Sequence, residues 1–216
     1  MFLGFIGVAV LALGGAVLLL VWISSMTPIH VTEESEPVGA PPAAEDWIEQ
    51  GAVLLAVGEI AAVYGPEWST SDGSRPGTPW DVSGVPDDTW IHTPILLDLD
   101  EKPVVLQPNL AAELDTSLPA NDLLVAVRGG EIGDDRHEII DGQDREFEPG
   151  DRVALVLSVK GEDLENPELI ETTFGEGWEF LGRYRIENDA AILQWGEETG
   201  EYDLEELIEE FRQAVQ

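Results

Sequence analysis

The pattern of apolar and polar positions divides the chain into three regimes. From Phe2 to Ile23 it reads FLGFIGVAVLALGGAVLLLVWI, without one charged or amide side chain. A helix of that length, at about 1.5 Å per residue, spans roughly 33 Å and matches a bilayer core of about 30 Å. No Lys or Arg precedes the run and no small-x-small site follows it, which argues against a cleaved signal peptide. Residues 1–26 are therefore expected to form a single transmembrane anchor, with Trp22 at the interface. From Thr27 to Ala44 Pro, Ala and Glu dominate without apolar periodicity, and this predicts a flexible linker over 27–44. From Glu45 onward apolar runs of strand length alternate with turn residues, so 45–216 is expected to be one folded domain.

Within that domain the spacing predicts six or so strands. Ala52–Tyr64 reads as a long strand with a bulge or bend at Gly58. Thr93–Leu99, Leu123–Arg128, Arg136–Ile140 and Val153–Val159 follow. Leu123–Arg128 is apolar on both faces until its arginine, and Gly129-Gly130 then bends the chain. Gly177–Ile186 and Ala190–Trp195 form a hairpin across Glu187-Asn188-Asp189. A helical turn is expected within 109–121, and 65–88 is a long Gly/Pro/Ser/Asp loop. Residues 203–215 make the best-marked helix. Asp203 is its N-cap, Glu206 follows three residues later, and Leu204, Leu207, Ile208, Phe211 and Val215 form one stripe. The expected fold is an all-β soluble domain, a small and OB-like barrel, with a C-terminal capping helix and one preceding transmembrane helix.

Charge changes the picture. The chain carries 44 acidic and 10 basic residues, a formal net charge of −34, and no cysteine. No charge precedes Glu33, so the excess lies outside the apolar run. The composition resembles that of proteins from extreme halophiles, where acidity carries no message about a partner. Nucleic acid is disfavoured, because no basic patch is available to neutralise phosphates. The absence of Cys removes disulfides, thiol catalysis and thiolate metal sites.

The stretches LLVAVRGGEIG and FEPGDRVALVL, within Leu123–Leu157, resemble a group of uncharacterised β-rich domains tethered to, or secreted through, prokaryotic membranes. In these a strand ending in Gly-Gly precedes Phe-x-Pro-Gly-Asp/Glu and a second apolar strand. The resemblance implies a bend, a turn and two core strands over roughly Ala52 to the C-terminus. It implies no activity and supplies no functional residue.

Three chemistries have candidate residues. Trp68, Trp80 and Trp90, in and beside the long loop, are candidates for a ligand or partner platform, against the alternative that they fold back as lids. Asp134, Asp135, His137 and Asp141 are dense in oxygen and imidazole ligands of the kind that hold Ca²⁺, although the spacing of an EF-hand is missing. Ser158 and Lys160, or Asp98 and Asp100, are conceivable hydrolase pairs without an oxyanion hole or a Gly-x-Ser-x-Gly motif. A haem chaperone of cytochrome maturation has the same anchor-plus-barrel plan. Its histidine motif, however, has Tyr four residues on, where His137 here is followed by Asp141.

The expectation is a membrane-anchored, non-enzymatic envelope domain that binds or scaffolds, with an envelope protein as a possible partner and no cofactor. A ligand- or cation-binding module using the loop at 65–90 is the alternative, and a tethered hydrolase a further one. Met1 carries the only cation near the apolar run, which favours N-terminus inside and domain outside. The charge makes one direct prediction. Screening shortens to about 3 Å at 1 M salt, so the melting temperature of the domain rises as KCl goes from dilute to molar. A melting temperature flat across that range removes the halophile argument.

Overall fold

The computed structural model describes residues 28–34, 40–69, 75, 90–110, 114, 118, 121–141, 143, 145–159 and 178–215. The anchor expected over 1–26 lies outside them, and among the described residues no helix is long and apolar enough to cross a membrane. The domain is mostly β-sheet with a C-terminal helix. Its strands are β1 (His30–Glu34), β2 (Leu54–Val63), β3 (Glu67–Trp68), β4 (Ile91–Leu99), β5 (Val104–Val105), β6 (Asp122–Arg128), β7 (Gly130–Ile132), β8 (Asp135–Ile140), β9 (Arg152–Ser158), β10 (Trp178–Glu187), β11 (Ala190–Trp195) and β12 (Glu198–Asp203). Two helices, α1 (Ala44–Glu49) and α2 (Leu204–Ala214), complete it.

Five strands pair in a circuit. β2 pairs with β4, β4 with β6, β6 with β10, β10 with β9, and β9 with β2. Every pairing is antiparallel except the short parallel contact of β6 with β10. β11 and β12 extend the sheet from β10, and a separate sheet of three strands runs β1-β8-β7.

The continuous apolar runs of β2 and β9 follow from burial on both faces. Leu54, Ala56 and Ile60 of β2, with Val153, Leu155 and Leu157 of β9, point into a core enclosed by the circuit. Leu55 and Val57, with Ala154 and Val156, lie in a second core beneath α1 and α2. Val125 and Val127 of β6 share the first core with the β9 row, although β6 and β9 are not neighbours in the sheet. β6 is apolar on both faces but buried on one: Leu123, Val125 and Val127 are buried, while Leu124 is 41% exposed.

Gly58 is where β2 and β4 approach most closely. A Cβ there would stand 2.1 Å from the Asp98 carbonyl oxygen, and the ladder shifts register between Ile60 and Ala62. The hairpin β10–β11 turns on Asn188 and Asp189, both at positive φ, as a two-residue turn matched to strand twist requires. β12 departs from the sequence reading. ETGEYD has no apolar alternation, yet all six residues pair with β11. Asp203 ends this strand and caps α2, its carboxylate accepting from the amides of Glu205 and Glu206 at 3.0 and 3.1 Å. Leu204, Leu207, Ile208 and Phe211 turn inward from the helix, as their spacing predicts.

The stretch read as a linker carries a strand near its start, and a short helix begins at its last residue, Ala44. Residues 30–34 form β1, paired in parallel with β8. At the other end α1 buries Trp47, whose indole N–H donates to the Tyr184 hydroxyl at 3.0 Å and whose ring meets Trp195 edge-on. Gly182 makes room for it, since a Cβ there would lie 2.6 Å from the indole.

Two predictions follow from this packing. Leu155→Ala destabilises by about 2–5 kcal/mol, the range for a leucine truncated in a packed core, and Gly182→Ala by roughly 1–3 kcal/mol through overpacking against Trp47. Glu148→Ala, in the exposed turn, costs under about 0.5 kcal/mol. Denaturant titrations at one high salt concentration measure all three, and a wild-type midpoint for Leu155→Ala refutes the assigned core. The second concerns alkali. Burial raises the hydroxyl of Tyr184 well above its ordinary range and that of Tyr202 more modestly. The unfolded chain thus loses these protons first, near pH 10, and stability falls as pH rises beyond that point. Tyr184→Phe flattens this alkaline slope while lowering stability at neutral pH, because the Trp47 N–H loses its acceptor.

Candidate functional site

One cavity of about 350 Å³ stands where the ends of β4 and β6 meet the β7–β8 hairpin and the segment 145–147. Its first wall depends on two glycines. Gly129 and Gly130 both adopt positive φ, which turns the chain from β6 into β7. A Cβ on Gly130 would stand 2.9 Å from Pro66 and 3.2 Å from both Ile91 and Thr93. The Gly129 amide donates to the Ile91 carbonyl at 2.9 Å, and its carbonyl accepts from the Thr93 hydroxyl at 3.1 Å.

The second wall is β8, where strand alternation buries Asp135 and His137 and leaves Arg136 outward. The third wall is the segment before β9. There Arg145 donates to the Asp141 carboxylate, and its guanidinium lies 4.8 Å from the centre of the Phe180 ring. Phe147 meets Phe180 edge-on and carries the Arg183 guanidinium 4.6 Å above its face. Arg183 also donates to the Glu146 carbonyl and, at 3.0 Å, to the Asp151 carboxylate.

Arg128, Arg136 and Arg145 line the cavity, three of the eight arginines in the chain. Each has an acidic neighbour. Arg128 bridges Glu33 at 3.4 Å and Glu179 at 2.9 Å, and its guanidinium stacks 4.1 Å from the centre of the Trp90 ring. Arg136 pairs with Glu131 and Glu138. Among the cavity's residues, Nη1 of Arg145 and Nδ1 of His137 are buried without a hydrogen-bond partner among the described residues, and Nε of Arg128 has only its ion pair with Glu179. The other ring nitrogen of His137 lies 2.9 Å from the Glu33 carboxylate.

The residues singled out in the sequence fare differently. Trp68 is buried at 3% exposure on β3 and Trp90 lies partly buried against Arg128. Trp80 lies outside the described residues. The proposed metal set does not converge. Asp134 is exposed in the β7–β8 turn. The Asp135 carboxylate accepts from Arg75 at 2.6 and 2.9 Å and from the Ile29 amide at 2.8 Å. Asp141 is engaged by Arg145. Among the described residues no group of three or more His, Asp or Glu is placed to hold a metal ion. The reason is geometric: four ligand residues close in sequence are split between a turn, one face of β8 and the chain beyond it, and Arg75 and Arg145 take the carboxylates of Asp135 and Asp141.

The hydrolase pairs are also taken apart. The Ser158 hydroxyl donates to backbone carbonyls of Gly51 and Val159, and Lys160 lies outside the described residues. Asp98 is exposed while Asp100 pairs with Arg152 at 2.8 Å. The cavity residues Arg128, Arg145 and Phe147, and Glu33 that contacts Arg128 and His137, were not singled out in the sequence. The available signal was scarcity, since in a chain with 10 basic residues three arginines fall between 128 and 145. No family model, curated protein or solved structure matches this chain.

Proposed function

We propose that this chain is a membrane-anchored, non-enzymatic envelope domain that acts by binding, and that the arginine-lined cavity is where it binds. The circuit of strands supports reading the domain as a closed barrel of OB type. Taken in chain order its five members run first, second, third, fifth, fourth and back to first, with a parallel contact between third and fifth. Barrels of that type take ligands on the second and third strands and the loops beside them. The cavity lies at the ends of β4 and β6, the second and third strands here. The fold is an analogy; the argument for a site is the lining.

That lining carries the reading. In a chain of net charge −34, three of eight arginines surround one cavity. Its remaining surface includes Val63, Val127, Ile139 and Phe147, and the buried Nη1 of Arg145 has no acceptor among the described residues. The ligand that fits is a small organic acid with an apolar body. Its carboxylate oxygen supplies the acceptor Arg145 lacks, and its body covers the apolar wall. Long-range attraction plays no part, because the surrounding carboxylates repel an anion. At molar salt that repulsion is screened within about 3 Å while contact hydrogen bonds persist.

Deleting Met1 to Ser25 yields a domain that stays in solution at high salt, and persistent membrane fractionation refutes the single anchor. Benzoate titrated into that domain at molar KCl, followed by tryptophan fluorescence, saturates. Arg145→Ala weakens binding by roughly tenfold, about 1.4 kcal/mol, with a melting temperature close to wild type. Equal titrations for the two proteins, or no saturation, refute the cavity as an organic-acid site.

A further inference from the structure

The segment between the expected anchor and the domain is held down along β1. His30 to Glu34 pair in parallel with Arg136 to Ile140, five residues in register. The Ile29 amide donates to the Asp135 carboxylate at 2.8 Å, and the Arg136 amide donates to the Ile29 carbonyl at 2.8 Å. Glu33 closes the contact from the side chain, 2.9 Å from His137 Nε2 and 3.4 Å from Arg128 Nη1.

We infer that β1 is a strap and that the β7–β8 end of the domain faces the headgroup surface of the bilayer. The inference rests on the anchor reading above, and chain length carries it. With the whole of 27–44 free, the chain between anchor and domain would extend up to roughly 60 Å at about 3.3–3.6 Å per residue. With β1 docked, the free part shrinks to residues 27–29, about 10 Å at the same rise. Parallel pairing fixes which end is near. The N-terminal end of β1 lies beside Asp135 and Arg136, next to the turn at Gly133 and Asp134. The partner is therefore a lipid surface, brought close by a strand and not by charge. The cavity shares β8 with the strap, so its ligand is met at the membrane.

The strap is shallow. Of β1 only Val31 is partly buried, so its hold depends on backbone bonds and on Glu33. This makes it testable without unfolding the domain. The full chain has no cysteine, and Asp134→Cys places one label in the exposed turn. In phosphatidylcholine liposomes at molar KCl, nitroxide-labelled headgroups quench that label. Val31→Pro, which removes an amide from the parallel ladder, and Glu33→Ala, which removes the contacts with Arg128 and His137, each reduce the quenching on the order of twofold as the chain reverts to a leash. If the labelled chain floats with the liposomes but quenching is absent, or is the same in both variants, the strap is refuted and the anchor stands. If the chain does not float with the liposomes, the anchor reading fails and the inference with it.

Discussion

The structure depends on burying two paired strands on both faces. β2 and β9 run antiparallel from Leu54 opposite Leu157 to Glu59 opposite Arg152. One row of their side chains fills the core inside the circuit, the other the core beneath the helices. Strands of this kind carry a hidden ambiguity. When both faces are apolar, a slip by one residue does not expose the hydrophobic row, so pattern alone does not set the register. Backbone contacts set it here. Gly58 admits the Asp98 carbonyl where no other residue leaves room. The Ile60 amide donates to the Asp151 carbonyl while the Gly150 amide donates to the Ile60 carbonyl, both at 2.8 Å. The Pro-Gly turn thus does more than reverse the chain: it pins β2 against the start of β9.

That distinction separates what the sequence discloses from what it hides. β2, β9 and β10–β11 are legible because their apolar content is local, and α2 because Asp203 and its stripe sit at fixed helical offsets. β12 is not legible: Glu198, Thr199 and Glu201 take their conformation from pairing with β11 and not from their own propensity. β1 is hidden for the same reason, since HVTEE becomes a strand only through an edge 106 residues away in sequence. The density of Asp134, Asp135, His137 and Asp141 reads as one site because sequence neighbours look like spatial neighbours. On a strand they are not, and Arg75 and Arg145 answer the carboxylates separately.

The arginines follow a rule imposed by their scarcity. Arg75 joins the long loop to Asp135, Arg128 joins β6 to Glu33 of β1 and Glu179 of β10, and Arg183 joins β10 to the turn at Asp151. Each ties two elements distant in sequence. Fully exposed pairs of this kind contribute little, with a median of about 0–1 kcal/mol. Arg183 is different. Its side chain is 4% exposed and stacked on Phe147, and losing either partner would leave a buried charge without its counterpart. In molar salt, where long-range attraction between charges is screened, such short contacts are the electrostatic terms that survive.

The position of the cavity follows from the same economy of cations. The circuit packs its interior with aliphatic and aromatic side chains. The helices seal the other face. What remains is the seam where Gly129 and Gly130 lead the chain out of β6, and there β7, β8 and the segment before β9 are held chiefly by arginine contacts and ring edges. Contacts of that kind are directional and leave gaps that aliphatic packing would close. A seam tied by Arg128 on Trp90 and Arg145 on Phe180 therefore keeps both space and hydrogen-bond donors, the two requirements of a binding site. One of its walls, β8, is also the strand with which β1 pairs, and β1 leads back towards the expected anchor.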